Sequence, residues 1–86
     1  MKKVVRVEKV EGEGLMALMG EQVILLCVNY FYAGTLVGVN EKFVKLENSG
    51  IVYETGDFTA SKWKDFQAIG TVYVMVQSIE AFAKGK

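Results

Sequence analysis

The sequence predicts a mainly β domain: a small, closed, strongly bent barrel of about five strands, with a short helical turn before them and a short helical insert ahead of the last strands. Three observations predict it. Apolar, β-prone runs recur at short spacing along the chain. The central run is apolar on both faces, as in a strand that is covered on both sides or bends through a closed sheet. Two glycines, Gly34 and Gly38, then stand inside the next strand-forming run. Glycine weakens a strand, and its use there signals a sharp bend, a bulge or a close backbone approach.

The elements follow in order. "KKVVRVEKV" (Lys2–Val10) mixes charge with valine and reads as a first, half-exposed strand, which "EGEG" (Glu11–Gly14) breaks. "LMALM" (Leu15–Met19) is rich in helix formers but too short for an independent helix, so it reads as one turn laid over the core. In "EQVILLCVN" (Glu21–Asn29), Val23, Leu25 and Cys27 fall on one face and Ile24, Leu26 and Val28 on the other. A turn at Asn29-Tyr30 leads into "YFYAGTLVGV" (Tyr30–Val39). "KFVKLEN" (Lys42–Asn48) and "GIVYETG" (Gly50–Gly56) read as a hairpin turning at Asn48-Ser49-Gly50, where Asn and Gly tolerate positive φ. "FTASKWKDFQAIG" (Phe58–Gly70) changes period: Thr59 or Ser61 caps a short helix, with Trp63 and Phe66 on one face. "TVYVMVQSIEAF" (Thr71–Phe82) returns to strand, with Glu80 its only charge.

Composition bounds the rest. At 86 residues the chain reads as one domain over residues 1–86, and its 51% hydrophobic content supports a core. A domain of this size usually needs reinforcement. Cys27 is the only cysteine and histidine is absent, so neither an internal disulfide nor a zinc site has its ligands. Self-association is the remaining device. The free Cys27 suits a reducing compartment, so a cytoplasmic location is expected. Ten Lys+Arg balance ten Asp+Glu, and no strongly basic face announces a nucleic acid. The seventeen uncharged residues from Val23 to Val39 reach the lower length of a membrane span. Their β-branched and aromatic content, with Asn29, Gly34 and Gly38, reads instead as two strands around a turn.

"GEGLMA" (Gly12–Ala17) matches G-x-G-x-x-G/A. No βαβ unit has room to follow it, and Glu11 and Glu13 repel a phosphate, so no cofactor is expected. Glu54 and Asp57 read as surface carboxylates, and Cys27 as a packed apolar side chain without a basic partner. No enzyme is expected.

From Gly20 to Val76 the chain resembles the Sm-like (LSm) family of small RNA-associated barrels. Gly20 precedes "VILLCV", Asn29-Tyr30 makes the turn, and "GTLVGVN" (Gly34–Asn40) stands where the family has G-x-L-x-G-x-D, with Asn40 in place of the aspartate. "KFVKLEN" stands in the third strand, with Val44 near the usual asparagine. The family's second motif is a short strand opened by an Arg-Gly pair, and Ile69-Gly70 of "IGTVYVMV" stands in that place, after an insert near 56–68. The resemblance implies a five-stranded Sm-like barrel, "LMALM" as part of an N-terminal helix, and a homo-oligomeric ring of five to seven copies joined by strand pairing.

A separate argument points the same way. "TVYVMVQ" is uncharged, β-prone and free of proline, so as an open edge it would invite aggregation. Val72, Tyr73, Val74, Met75 and Val76 are therefore the expected subunit interface. In such a ring, the resemblance implies single-stranded RNA at the pore-facing loops. Asn40 would meet a base edge, Phe43 would stack, and Lys42 and Lys45 would meet phosphates, with Gly70 and Thr71 from the second motif. The replaced Asp, Asn and Arg, and the nearby Glu41 and Glu47, favour the alternative of a structural or protein-interaction ring whose RNA site has been lost. Tyr30, Phe31 and Tyr32 form an aromatic cluster that reads equally as packing or as an interface.

Overall fold

The computed structural model describes residues 14–86, so the strand expected over Lys2–Val10 lies outside the described residues. Five antiparallel strands form one bent sheet in the order β4-β3-β2-β1-β5. They are β1 (Gln22–Cys27), β2 (Phe31–Val39), β3 (Phe43–Glu54), β4 (Asp65–Met75) and β5 (Ile79–Lys84). Among the described residues the sheet does not close by a β4–β5 ladder, and both strands are left as edges. No helix among them is long and apolar enough to cross a membrane.

"LMALM" gives a single 3₁₀ turn, Leu15–Leu18, whose Leu15 and Leu18 pack against the core. Four residues are too few to nucleate an α-helix unaided.

Three local expectations are corrected. "KFVKLEN" and "GIVYETG" are not two strands of a hairpin: they form the single strand β3 of 12 residues. Asn48 does adopt positive φ, at 49°, but as a kink within the strand, where the pairing registers with both β2 and β4 shift. Ser49 is fully buried there, and its hydroxyl donates to the Gly70 carbonyl at 2.6 Å, which satisfies the polar group inside the bend.

The helical insert is also absent. The segment 55–64 is a run of turns and bends. The Asp57 carboxylate accepts the Thr59 N–H at 2.9 Å and the Thr59 hydroxyl at 2.8 Å, fixing an Asx turn that competes with helix. The same bonds hold the Asp57 carboxyl below its ordinary pKa. The long final strand is split as well. β4 stops at Met75, and Val76–Ser78 forms a 3₁₀ turn before β5, so Val76 lies in a turn rather than in the edge strand.

The apolar faces of β1 are explained by two cores. Val23, Leu25 and Cys27 join Leu36, Val44, Leu46 and Val74 on the inner side of the bend. Ile24 joins Ala33 and Val52 on the other side, where Trp63 of the 55–64 segment folds back over them. Burial and the nearby Glu80 push the Cys27 thiol above its ordinary value, in keeping with a packed, unreactive side chain. The two glycines prove unequal. A Cβ on Gly34 would lie 2.5 Å from the Ser49 Cβ and 2.9 Å from two backbone atoms, so the β2–β3 approach requires glycine there. A Cβ on Gly38 would meet the Lys45 Cβ at an ordinary 3.7 Å.

Candidate subunit edges and loop site

The backbone bonds at the end of β4 show which groups its open edge presents. The Lys42 carbonyl accepts the Val76 N–H at 2.9 Å, whereas the Phe43 carbonyl accepts the Asn40 N–H at 3.0 Å. Alternation along an antiparallel ladder then points Val44 and its partner Val74 at one another. Tyr73 and Met75 are left with their backbone groups directed away from β3. Their side chains are 56% and 52% exposed, while Val74 is buried in the core.

The same reasoning holds for β5. Gly85 N–H donates to the Gln22 carbonyl at 2.8 Å, so Ala83 and Ala81 face β1 and Phe82 and Lys84 face outward. Of the five residues expected at an interface, Tyr73 and Met75 thus occupy the open edge. Val72 and Val74 pack inward, and Val76 bonds to the β2–β3 loop.

The β2–β3 loop is built around Asn40. Its side-chain oxygen accepts the N–H groups of Lys42 at 2.7 Å and Phe43 at 2.8 Å. Asn40 therefore organises its own loop, and its amide nitrogen is the group left to face a ligand. Lys42 is exposed. Lys45 is half-buried, 3.9 Å from a Glu47 oxygen and 5.7 Å above the centre of the Tyr73 ring. Phe43 packs edge-to-face on Tyr73 at 5.4 Å. Tyr73 thus joins a shallow cavity of about 250 Å³ with Gly38, Val39, Asn40, Phe43 and Lys45. The sequence marks Tyr73 only as an interface residue; its register opposite Lys45 brings it here.

Gly70 and Thr71 do not join that loop. Gly70 pairs with Ser49, whereas Met75 pairs with Phe43. At roughly 3.4 Å per strand residue, five positions put Gly70 about 17 Å along β4. Gly70 has φ 111°, a backbone conformation that favours glycine, and serves the kink of β3. The Ile69-Gly70 pair is accordingly inside β4 rather than at the opening of a short strand. That opening is Val76–Ser78, which touches Lys42 and carries no arginine. Ser49 itself was missed, because nothing in the sequence separates a buried serine in a strand from one in a turn.

A small, bent, five-stranded antiparallel sheet, preceded by a 3₁₀ turn and with two edges left open among the described residues, defines the class of the molecule. The fold is Sm-like: the chain is similar to the crystal structure of a heptameric archaeal Sm protein, with a TM-score of 0.66 at 15% identity, covering 84% of this chain and 96% of that one. No family sequence model and no curated protein matches the chain.

Proposed function

We propose that the chain assembles with copies of itself into a closed ring, the open edge of β4 in one copy pairing with the open edge of β5 in the next. The observation that carries this is the pair of edges that no strand among the described residues covers, at opposite ends of one sheet, with Tyr73 and Met75 on one and Phe82 on the other. An open sheet with such edges is a template for further strands. Head-to-tail pairing whose rotation divides a full turn closes into a ring and leaves no free edge. The similar archaeal protein is heptameric, which supports five to seven copies, seven first. Light scattering behind a sizing column tests this: a single species of five to seven chain masses is expected. A monomer that persists at high concentration would overturn the ring.

As to what the ring does, the loop geometry favours a structural or protein-interaction role. Asn40 has its acceptor engaged within its own loop, Lys45 lies beside Glu47, and Val76–Ser78 supplies no cation. One observation keeps single-stranded RNA as a second reading. The exposed Lys42 and the Asn40 amide nitrogen stand together beside Val76–Ser78, the turn that opens β5. On that reading a short oligouridine binds with an affinity that falls steeply with salt, and Lys42→Glu weakens it at least about tenfold. Binding that Lys42→Glu leaves unchanged would remove the loop from any RNA site.

A further inference from the structure

The two edges of the sheet leave opposite faces uncovered. Across the β3–β4 ladder Tyr73 faces Lys45 and Met75 faces Phe43. Val44, Leu46 and Val74 alternate with these residues and fill the inner core, so Tyr73 and Met75 stand on the outer face. On β5 the relation is inverted. Phe82 faces Leu25 and Lys84 faces Val23, both residues of the inner core, so Phe82 stands on the inner face. It is 39% exposed, and with Leu15, Val76, Ile79, Glu80 and Ala81 it lines an open hollow of about 410 Å³.

Strand direction limits how two such edges can meet. In the antiparallel order β4-β3-β2-β1-β5, strands β4 and β5 run the same way. A second copy set beside the first without being turned over would pair its β5 with β4 in parallel, inner face beside inner face. Tyr73 and Met75 would then adjoin only Ala81 and Ala83, which pair with Leu26 and Ile24 and share their face. A copy turned over pairs antiparallel, and its inner face continues the outer face of the first. Only this arrangement gathers Tyr73, Met75 and Phe82, the large exposed apolar side chains of both edges, on one surface.

Register follows from backbone groups and charge. Outward-pointing N–H and C=O groups belong to Thr71, Tyr73 and Met75 on β4 and to Phe82 and Lys84 on β5. With Phe82 opposite Met75, Lys84 would face Tyr73, where the Lys45 ammonium already lies 5.7 Å above the ring centre. With Phe82 opposite Thr71, Lys84 would pass Gly70, whose φ of 111° ends the regular edge. With Phe82 opposite Tyr73, Lys84 faces Thr71. Glu47 stands beside Thr71, because Leu46 pairs with Val72 and Ser49 with Gly70. Two strand spacings of about 4.8 Å separate Glu47 from Lys84 there, within reach of their extended side chains. Opposite charges across a ladder stabilise it and like charges cost stability, which selects the last register.

We infer that the copies join antiparallel, Phe82 of one facing Tyr73 of the next and Lys84 facing Thr71 beside Glu47, so that Tyr73 and Met75 cover the hollow beside Phe82. The hollow is incomplete without the second copy. Tyr73 already packs edge-to-face on Phe43 at 5.4 Å, so the joint prolongs a row of aromatic rings from one subunit into its neighbour. This inference rests on the proposed ring and adds to it the face, the direction and the register of the joint.

The test is disulfide cross-linking of the full chain under mild oxidation, read on a non-reducing gel, with the mass followed by light scattering. Cys27 and Tyr73 line one cavity, so the variants also carry Cys27→Ala. Facing residues of such a pair have Cα atoms about 5.5 Å apart, within disulfide reach, whereas diagonal neighbours are about 7–8 Å apart, beyond it. Tyr73→Cys with Phe82→Cys is therefore expected to give a ladder of covalent multimers ending at the ring, and Met75→Cys with Phe82→Cys to give none. A ring of full mass in which the Met75 pair links instead, or neither pair links, overturns the register and leaves the ring standing. A monomer by light scattering overturns the ring and this inference with it, and so does a link closed within one chain. A charge exchange leaves the apolar residues intact and guards against variants that fail to fold. Lys84→Glu is expected to loosen the assembly, and Glu47→Lys on the same chain to restore part of it. Lys84 also meets Glu21 of its own chain at 3.1 Å, so the restoration by Glu47→Lys is the decisive readout. Its absence overturns the inference.

Discussion

Asn40 settles what the β2–β3 loop offers, because its side-chain oxygen closes the loop on two N–H groups. In a fully exposed loop such a cap contributes about 1 kcal/mol. Asn40→Ala is therefore expected to lower the melting temperature by roughly 4–8 °C, whereas Asn40→Asp, which keeps the acceptor, should remain close to wild type. Thermal denaturation followed by circular dichroism reads both. An Asn40→Ala chain as stable as the parent would mean that the loop holds its shape without the cap. Single residues were unevenly legible in the sequence. Gly34 marks a close approach, while Gly38, identical in type and context, marks only the register shift between Leu36 and Gly38. The distinction depends on where Ser49 comes to rest across the ladder, and no local signal carries that.

At the scale of elements, β4 faces two ways. Val74 closes the inner core and bonds toward β3, and Tyr73 turns its backbone to the open edge. A proline at Val74 would thus break the subunit itself, while Tyr73→Pro removes a donor only from the outer edge. Tyr73→Pro is expected to give a folded chain, by circular dichroism, that elutes as a monomer. A Tyr73→Pro protein that stays assembled would place the joint elsewhere. The strands β1 and β2 and the turn between them were legible, since apolar runs and a polar break locate them directly. The kink of β3 looked like a hairpin because positive φ at Asn48 serves either. The 55–64 segment looked like a helix from the spacing of Trp63 and Phe66. It is held irregular by Asp57 capping Thr59, by Phe58 packing edge-to-face on Trp63 at 5.5 Å, and by Lys86, whose ammonium lies 4.4 Å above the Trp63 ring. These are contacts between distant or oppositely facing residues, which periodicity does not encode.

For the molecule as a whole, the class of fold could be read from composition and spacing, but its open edges could not. The bent five-stranded Sm-like fold is as predicted, and among the described residues its sheet ends at β4 on one side and β5 on the other. What the sequence did indicate was that "TVYVMVQ" needs cover, which is the same fact seen from the aggregation side. A further consequence comes from the two cores. β1 contributes Val23, Leu25 and Cys27 to one and Ile24 to the other, and β3 contributes Val44 and Leu46 to one and Val52 to the other. Neither layer can melt while its neighbour stays intact, because both are fastened to the same two strands. Amide hydrogen exchange should then show β1 and β3 protected to a common free energy, equal to that of global unfolding, with no partly open form between. Different opening energies for the Val44 and Val52 amides would separate the cores. A common value would mean that this short chain behaves as one cooperative unit, able to offer its edges to a neighbour without loosening inside.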